Sequence, residues 1–288
     1  MSVIKKKALK RNERKITVGS VLLTILLFAV GLAFIFPFLF MLSSSFKPTA
    51  DVMQFPIKLI PSTITFRNFN TVFNTDGLDF GQWYFNTISM EFFTILFKTF
   101  IVSLTGYAFA KIRFKGRNII FLILLSALMI PSDVMIIPRY MIFTKLGITN
   151  SMWALVLPYT FDIYFVFLIR QFFLSIPESL TEAAEIDGCT HFQKYYKVVL
   201  PLAKPAIITM ILFTFVWAWN DYMMPYIFIN DVKKQMLTVG IQLFTVGTRQ
   251  NYGAQMAAGT LMLLPIIAVF LFCQKFFIQG IATSGVKG

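Results

Sequence analysis

The stretch EAAEIDGCTHFQKYYKVVLPLAKPA, residues Glu182–Ala206, is the longest markedly polar segment in the second half of a very hydrophobic chain. The sequence predicts two helix N-termini in and just before this segment, because Ser175-Ile-Pro-Glu178 and Thr190-His-Phe-Gln193 both match the capping-box pattern. Gly188 is the residue type that commonly follows the last turn of a helix. The sequence therefore predicts two short helices joined by a sharp bend at Gly188.

The first of these helices has a face that is small at its centre. Ala183, Ala184 and Asp187 lie at positions i, i+1 and i+4. A surface helix with a small apolar face and acidic flanks can fit into a groove on another protein. A solvated loop explains the same residues, so docking and a plain loop both remain open. Under either interpretation the helices lie outside the bilayer, where carboxylates are costly.

Composition places most of the chain in a membrane. Of its 288 residues, 57% are hydrophobic and 14% are charged, whereas about a quarter of a soluble domain is charged. The formal net charge of +13 could indicate nucleic-acid binding, but the basic residues gather in short flanks of apolar segments. That distribution is typical of membrane proteins. We therefore predict that the chain is embedded in membrane lipid and does not bind nucleic acid.

Six apolar segments are long enough to be membrane helices. The first is uncharged over 24 residues, or roughly 36 Å of helix, which is too long for the apolar part of a signal peptide. The predicted fold class is an all-α membrane protein with six transmembrane helices, and the polar loop lies between helices four and five. The predicted spans are Val18–Met41, Tyr84–Ala108, Asn118–Phe143, Met152–Leu174, Ala206–Ile229 and Gln255–Ile278.

Basic residues are concentrated on one side of these spans. They lie in the first 15 residues, in the loop KIRFKGR at 111–117, and in the polar loop, which contributes Lys194, Lys197 and Lys204. Cytosolic loops carry such an excess of lysine and arginine. Both termini and the polar loop are therefore predicted to be cytosolic, which agrees with an even number of spans.

This scheme divides the chain into three parts. Residues 1–15 form a basic cytosolic tail, and residues 16–82 hold the first transmembrane helix and an external loop. Residues 83–288 form the transmembrane core, which includes the polar loop at 177–205. The external loop is rich in proline, threonine and asparagine, and we predict an extended course with a short helix.

Several charged residues fall within or beside the predicted spans. Glu91 and Lys98 are seven residues apart and share one helix face, two turns from each other. Asp133 and Asp162 lie beside segments that proline interrupts. Charged groups at such depth face the helix bundle or a transport pathway. Structural pairing and pathway lining therefore both remain open for each of them.

The fifth span ends in FVWAWNDYMMPY, which combines aromatic and polar side chains. In a continuous helix Trp217, Asn220, Asp221 and Met224 would share one face. An aromatic plane beside an amide and a carboxylate suits a sugar, which stacks its apolar face and hydrogen bonds through its hydroxyls. The aromatic belt at the membrane boundary explains the same residues, so both interpretations remain open.

The sequence lacks the common signatures of catalysis. It has no G-x-x-x-x-G-K-[ST] phosphate loop, no C-x-x-C and no H-E-x-x-H, and one histidine cannot make a histidine-rich metal site. We predict no metal site, no catalytic residue and no cofactor in this chain. A secondary transporter or channel and a membrane enzyme are the competing classes. An enzyme would lack a convincing catalytic cluster.

The polar loop resembles the EAA loop of ABC-importer permeases. The pattern runs from Glu182-Ala183-Ala184 through Gly188 to Leu200-Pro201, with Val198 where the family usually has isoleucine. The segments PFLFMLSSSFKP, GYAFAKIRFKGR, IPRYMIFTKLGITNSMWALVLPY and GIATSGVKG are similar to the maltose-type branch, the permeases of carbohydrate importers. The resemblance covers nearly all of the chain.

This resemblance implies a transporter subunit in the bacterial cytoplasmic (inner) membrane, and not an enzyme. Such permeases pair with a second related permease, two copies of a cytosolic ATPase that bind ATP and Mg²⁺, and an extracytoplasmic sugar-binding protein. The loop then couples to the ATPase, and we refer to residues 177–205 as the coupling loop. The implied coupling residues are Glu182, Ala183, Ala184, Asp187, Gly188, Leu200 and Pro201.

Overall fold

The computed structural model describes residues 18–247 and 250–284, with side chains as far as residue 273. The basic tail at 1–15 and the last four residues lie outside this range. Regular structure in the described residues is helical throughout. Four helices are long and apolar enough to cross a membrane, and two bent helix pairs raise the number of candidate spans to six. The predicted all-helical membrane fold is confirmed.

Two spans near the start of the chain are single helices. Helix α1 runs from Val18 to Ser45 and leads into α2, Thr49–Val52, and α3, Arg67–Asn74. Helix α4, Phe80–Lys111, is the predicted second span. At 32 residues it is roughly 48 Å long, so it reaches beyond both sides of a hydrocarbon core of about 30 Å.

The third span is bent at Pro131, a proline in the interrupted segment beside Asp133. Helix α5, Arg117–Ser126, continues into a 3₁₀ turn, and α6, Ile136–Lys145, follows a second 3₁₀ turn. The two halves meet at 92°. Pro138 does not break the chain again, because it lies in the first turn of α6, where its missing N–H has no partner to lose.

The fourth span has a break at Asp162. Helix α7, Trp153–Thr160, stops there and α8, Ile163–Ser175, starts anew. The Asp162 carboxylate accepts a hydrogen bond from the Phe165 N–H at 3.3 Å, so it caps α8. A charged residue in the span is thus explained locally as a helix cap, and α8 packs along α4 beyond it.

The coupling loop consists of short helices between spans four and five. Helix α9 is Glu178–Ile186, and α10, His191–Lys194, continues through a π-helical turn into α11, Leu200–Leu202. The chain then bends by 78° into α12, Lys204–Trp219.

The predicted fifth span, Ala206–Ile229, is wrong as one continuous helix. Helix α12 stops at Trp219, and α13, Met223–Phe228, starts after a break. The Asp221 carboxylate, one residue before the N-cap Tyr222, accepts a hydrogen bond from the Met224 N–H in the first turn of α13 at 3.2 Å. Pro225 adds to the break, because its ring would clash with the carbonyl of residue 221 in an unbroken helix.

The last elements close one end of the bundle. Helix α14, Leu237–Gly240, packs over the start of α4, and α15, Tyr252–Ser284, is the sixth span and runs along α1. One buried cluster surrounds Trp83 at this end of α4, and another surrounds Phe165 and Tyr195 towards its other end. Helix α4 therefore joins the two ends of the molecule.

Candidate functional site

The coupling loop begins differently from the sequence prediction. Ser175 remains in α8 and its hydroxyl donates to the Phe172 carbonyl, so the capping box predicted at 175–178 is wrong. Pro177 supplies the start instead, because its fixed φ leads directly into the first turn of α9. The second capping box is confirmed: the Gln193 N–H donates to Thr190 Oγ1 at 3.3 Å. In return, the Thr190 N–H donates to Gln193 Oε1 at 2.8 Å.

The predicted bend at Gly188 is confirmed. Gly188 has φ +80°, a left-handed conformation that only glycine adopts at little cost. Its N–H donates to the Glu185 carbonyl at 2.9 Å, and the Cys189 N–H donates to the Ala184 carbonyl at 2.9 Å. These two bonds form a Schellman motif, which satisfies the last carbonyls of α9 and reverses the chain.

The two alanines of the motif face in different directions. Ala184 is buried against its own chain, at 8% exposure, whereas Ala183 is exposed. The expectation that both form one outward small face is therefore wrong. Ile186 is 88% exposed beyond Ala183 and makes the outer face apolar. The remaining motif residues Glu182, Asp187, Gly188 and Pro201 are exposed, and Leu200 is half-buried.

An ion pair fixes the two arms of the loop relative to each other. Lys194 Nζ on α10 lies 2.9 Å from Glu185 Oε2 on α9. Lys194 is buried, while the Glu185 side chain is 69% exposed. The hydrogen bond from Lys194 holds the pKa of the Glu185 carboxyl below its ordinary value. The sequence reasoning missed this pair, although a lysine nine residues after a glutamate across a glycine bend was the available signal.

The coupling loop is attached to the end of α4. The Tyr107 hydroxyl donates to the His191 carbonyl at 3.0 Å, and the Ser103 and Tyr195 hydroxyls are 2.7 Å apart. Further along α4, Lys111 Nζ donates to the Ile176 carbonyl at 2.7 Å. Three side chains on one helix therefore hold the start and the middle of the loop, so a displacement of the loop must reach α4.

A cavity of about 310 Å³ lies nearer the middle of the membrane segments. It brings together three of the predicted pathway residues, Asp133, Asp162 and Asp221, which come from spans three, four and five. We call it the acidic cavity. The other lining residues are Ser132, Ile136, Arg139, Pro158, Tyr159, Met223 and Met224.

Hydrogen bonds order the Asp221 side of the acidic cavity. The Tyr159 hydroxyl donates to Asp221 Oδ2 at 3.0 Å, and the Thr238 hydroxyl of α14 donates to the Asp221 carbonyl at 2.7 Å. Carboxylate, phenol and guanidinium groups thus line one small space. Such a set of donors and acceptors suits a polyhydroxylated ligand.

Trp217 and Asn220 do not line the acidic cavity. The break after Trp219 removes the shared face that a continuous helix would have given them. Trp217 is 45% exposed and packs beside Tyr164 and Phe165. Asn220 is exposed and its amide donates to the Val216 carbonyl at 2.7 Å. The acidic cavity therefore brings Asp221 together with residues other than these two, and a role for Trp217 and Asn220 in the pathway stays a prediction.

Asp162 forms an ion pair with Lys98 of α4. The lysine Nζ lies 2.7 Å from Asp162 Oδ2 and 4.6 Å from the centre of the Phe165 ring. Asp162 is thus both a partner in an ion pair and a wall of the cavity. Glu91, on the same face of α4, is 3% exposed, and neither of its carboxylate oxygens has a hydrogen-bond partner among the described residues.

Comparison with known proteins identifies the family of this chain. Residues 102–283, which include the coupling loop and the acidic cavity, match the family model of the binding-protein-dependent transport system inner membrane component. The chain belongs to this family. It is therefore a multi-pass inner-membrane component of a transport system, and the family match disfavours the secondary transporter, channel and enzyme alternatives.

Individual relatives agree with the family. The chain is 32% identical over 280 residues to the arabinooligosaccharides transport system permease protein AraQ of Bacillus subtilis (strain 168), covering 96% of this chain and 99% of AraQ. It is 31% identical over 256 residues to the diacetylchitobiose uptake system permease protein DasC of Streptomyces coelicolor (strain ATCC BAA-471 / A3(2) / M145), covering 88% and 92%.

A solved structure has the same fold. A chain in the crystal structure of a bacterial ABC transporter involved in the import of the acidic polysaccharide alginate superimposes with a TM-score of 0.81. It is 25% identical, and the match covers 90% of this chain and 96% of that one. The resemblance to carbohydrate ABC-importer permeases is confirmed, as is the prediction of a transporter subunit and not an enzyme.

Proposed function

We propose that the chain is the permease of an ATP-driven importer for a sugar or oligosaccharide and forms half of its translocation pathway. The observation that carries this proposal is the acidic cavity, in which Asp133, Asp162 and Asp221 converge from three spans. Relatives named for arabinooligosaccharides and diacetylchitobiose support a carbohydrate substrate. Carboxylates accept hydrogen bonds from sugar hydroxyls, and the aliphatic walls contact the sugar ring.

The complete importer contains other subunits. A second related permease supplies the other half of the pathway, an extracytoplasmic binding protein delivers the sugar, and two ATPase copies bind ATP and Mg²⁺. The family description and the similarity to a chain of the alginate ABC transporter support this set of partners. The coupling loop contacts the ATPase through Ala183 and Ile186, whose exposure leaves an apolar outer face. The chain itself requires no cofactor.

Both termini and the coupling loop lie in the cytosol. The basic residues of the coupling loop support this orientation, as does the basic loop between α4 and α5. In a chain with Cys189 and Cys273 replaced by serine, a cysteine at the exposed Ser62 should react with an impermeant maleimide in spheroplasts. A cysteine at the exposed Lys197 should react only after permeabilisation. Labelling of Lys197→Cys in sealed spheroplasts would reverse the orientation.

The acidic cavity is tested by Asp221→Asn and Tyr159→Phe. Asn retains an acceptor for the Met224 N–H in the first turn of α13 but removes the charge, and Phe removes the hydroxyl that binds Asp221. Hydrogen bonds to charged groups contribute about 1.5–3 kcal/mol, so each change should lower sugar uptake roughly tenfold or more. Uptake is measured in proteoliposomes that contain the complete importer and its binding protein.

Two residues outside the cavity provide the controls. Asn220→Ala and Trp217→Ala alter the same region of span five without touching the cavity lining. They should keep uptake within about twofold, since surface changes away from a site have small effects. Copurification of the ATPase establishes that each variant assembles. Wild-type uptake in both Asp221→Asn and Tyr159→Phe would rule out the cavity as the pathway.

A further inference from the structure

Lys98 lies between the coupling loop and the acidic cavity. It is 1% exposed and sits in the middle of α4, whose end holds the coupling loop through Ser103, Tyr107 and Lys111. Its ammonium reaches Asp162 at 2.7 Å, in the wall of the cavity. One unbroken helix therefore connects the proposed ATPase-contacting loop with a charged contact at the proposed sugar path.

Asp162 is also the point at which span four can bend. Helix α7 ends at Thr160 and α8 begins at Ile163, so no continuous helical hydrogen-bond ladder joins them. Helix α7 contributes Pro158 and Tyr159 to the cavity, while α8 packs along α4. A rotation at this break would move one wall of the cavity relative to Lys98 without unfolding either helix.

Glu91 is a surplus carboxylate on the Lys98 side of α4. It lies seven residues before Lys98, about 10 Å along the helix and on the same face. It is 3% exposed, and within the described part of the chain no cation lies within 4 Å of it. A buried carboxylate without a partner is expensive, and such groups inside a membrane mark functional positions.

The surrounding charges leave Lys98 as the nearest available partner. The Tyr159 hydroxyl is used by Asp221, and Arg139 approaches Met224 from α6. A long, flexible lysine on the helix face that carries Glu91 can reach towards either end of that face. A single structural ion pair would need one carboxylate, whereas Lys98 has Asp162 in contact across the bundle and Glu91 on its own helix face.

We propose that Lys98 is a positioning residue that exchanges its carboxylate partner during the transport cycle. It binds Asp162 in the conformation described here and Glu91 in the conformation with the opposite access, when α7 has moved. The exchange keeps the lysine charge compensated in both states and links the position of α4 to the cavity wall. This inference rests on the proposed use of the acidic cavity as the sugar path.

The test measures the balance of the two states in the complete importer. A Ser132→Cys reporter is placed at the cavity lining of a complex in which Cys189 and Cys273 are serine. The rate of labelling by a water-soluble thiol reagent is measured without nucleotide and with ATP plus vanadate. Asp162→Asn and Glu91→Gln each remove one carboxylate charge, and Asn also caps a helix well.

The two neutralisations should shift the labelling in opposite directions. Asp162→Asn removes the partner of one state and Glu91→Gln that of the other, so each should change the ratio of states about fivefold or more. In Lys98→Met neither pair exists, and adding Glu91→Gln to it should cause no further shift. Lys98→Arg keeps the charge and should retain the nucleotide response.

Each alternative has a distinct result. A purely structural ion pair predicts less assembled complex but an unchanged ratio of states, and shifts in the same direction would equally overturn the exchange. If Asp162→Asn does not assemble, the effect of Glu91→Gln on labelling is compared in the parent and in Lys98→Met. Only an exchange of partners makes that effect depend on the lysine, so this comparison tests the proposal. If Ser132→Cys in the unsubstituted complex does not respond to nucleotide, the proposed pathway itself is wrong.

Discussion

Ala183→Trp is expected to abolish the coupling of this permease to its ATPase while leaving the membrane bundle intact. Ala183 is exposed on α9, one turn before Ile186, which is 88% exposed, so an indole there projects outward from the coupling loop. A partner that closes over this apolar face needs the small side chain. Central interface positions contribute about 2 kcal/mol or more, so ATPase binding should weaken roughly thirtyfold or more.

The measurement compares ATPase affinity and sugar uptake in the same preparations. Ala183→Ser is the matched control, because it keeps a small side chain at the same exposed position and should retain both activities. Expression and the melting temperature of the permease should remain those of the parent, since α9 packs through Ala184 and not through Ala183. Parental uptake in a well-expressed Ala183→Trp importer would show that this face does not contact the ATPase.

Local sequence signals were sufficient for part of the coupling loop. Gly188 and the Thr190–Gln193 box act through bonds to neighbours within a few residues, so their geometry could be predicted. The capping box at Ser175 was wrong because α8 continues through that serine. The burial of Ala184 was not predictable, since it depends on how α9 packs on the turn at 195–199.

For the acidic cavity too, the sequence indicates the individual residues but not how the tertiary fold brings them together. The sequence marked Asp133 and Asp162 as charges beside breaks and Asp221 as a charge near the end of a span. Their convergence depends on the crossing of three spans, which periodicity does not determine. The break after Trp219 has a sequence signal in Pro225, which lies in the first turn of α13, although the predicted span Ala206–Ile229 is continuous through it.

Gly240→Ala is expected to destabilise the importer strongly, because Gly240 packs against the end of α4 that carries Trp83. Gly240 has helical backbone angles, so alanine brings no backbone strain. A β-carbon there would lie only 2.3 Å from Cε3 of Trp83. Trp83 is fully buried and its indole N–H donates to the Val232 carbonyl at 2.6 Å, so the ring has little room to retreat. Overpacking of this kind costs about 3 kcal/mol.

The damage should extend from this packing to the proposed sugar path. Thr238, in the same helix as Gly240, holds the Asp221 carbonyl at 2.7 Å, and a displaced α14 would release it. We therefore expect Gly240→Ala to lower the melting temperature of the purified importer by roughly 6 °C or more and to reduce uptake as well. Gly31→Ala is the control, because its β-carbon meets no atom within 4 Å in α1. If both variants have the melting temperature of the parent, the packing of Gly240 against Trp83 does not limit stability. A stable Gly240→Ala importer with normal uptake would also show that α14 does not determine the position of Asp221.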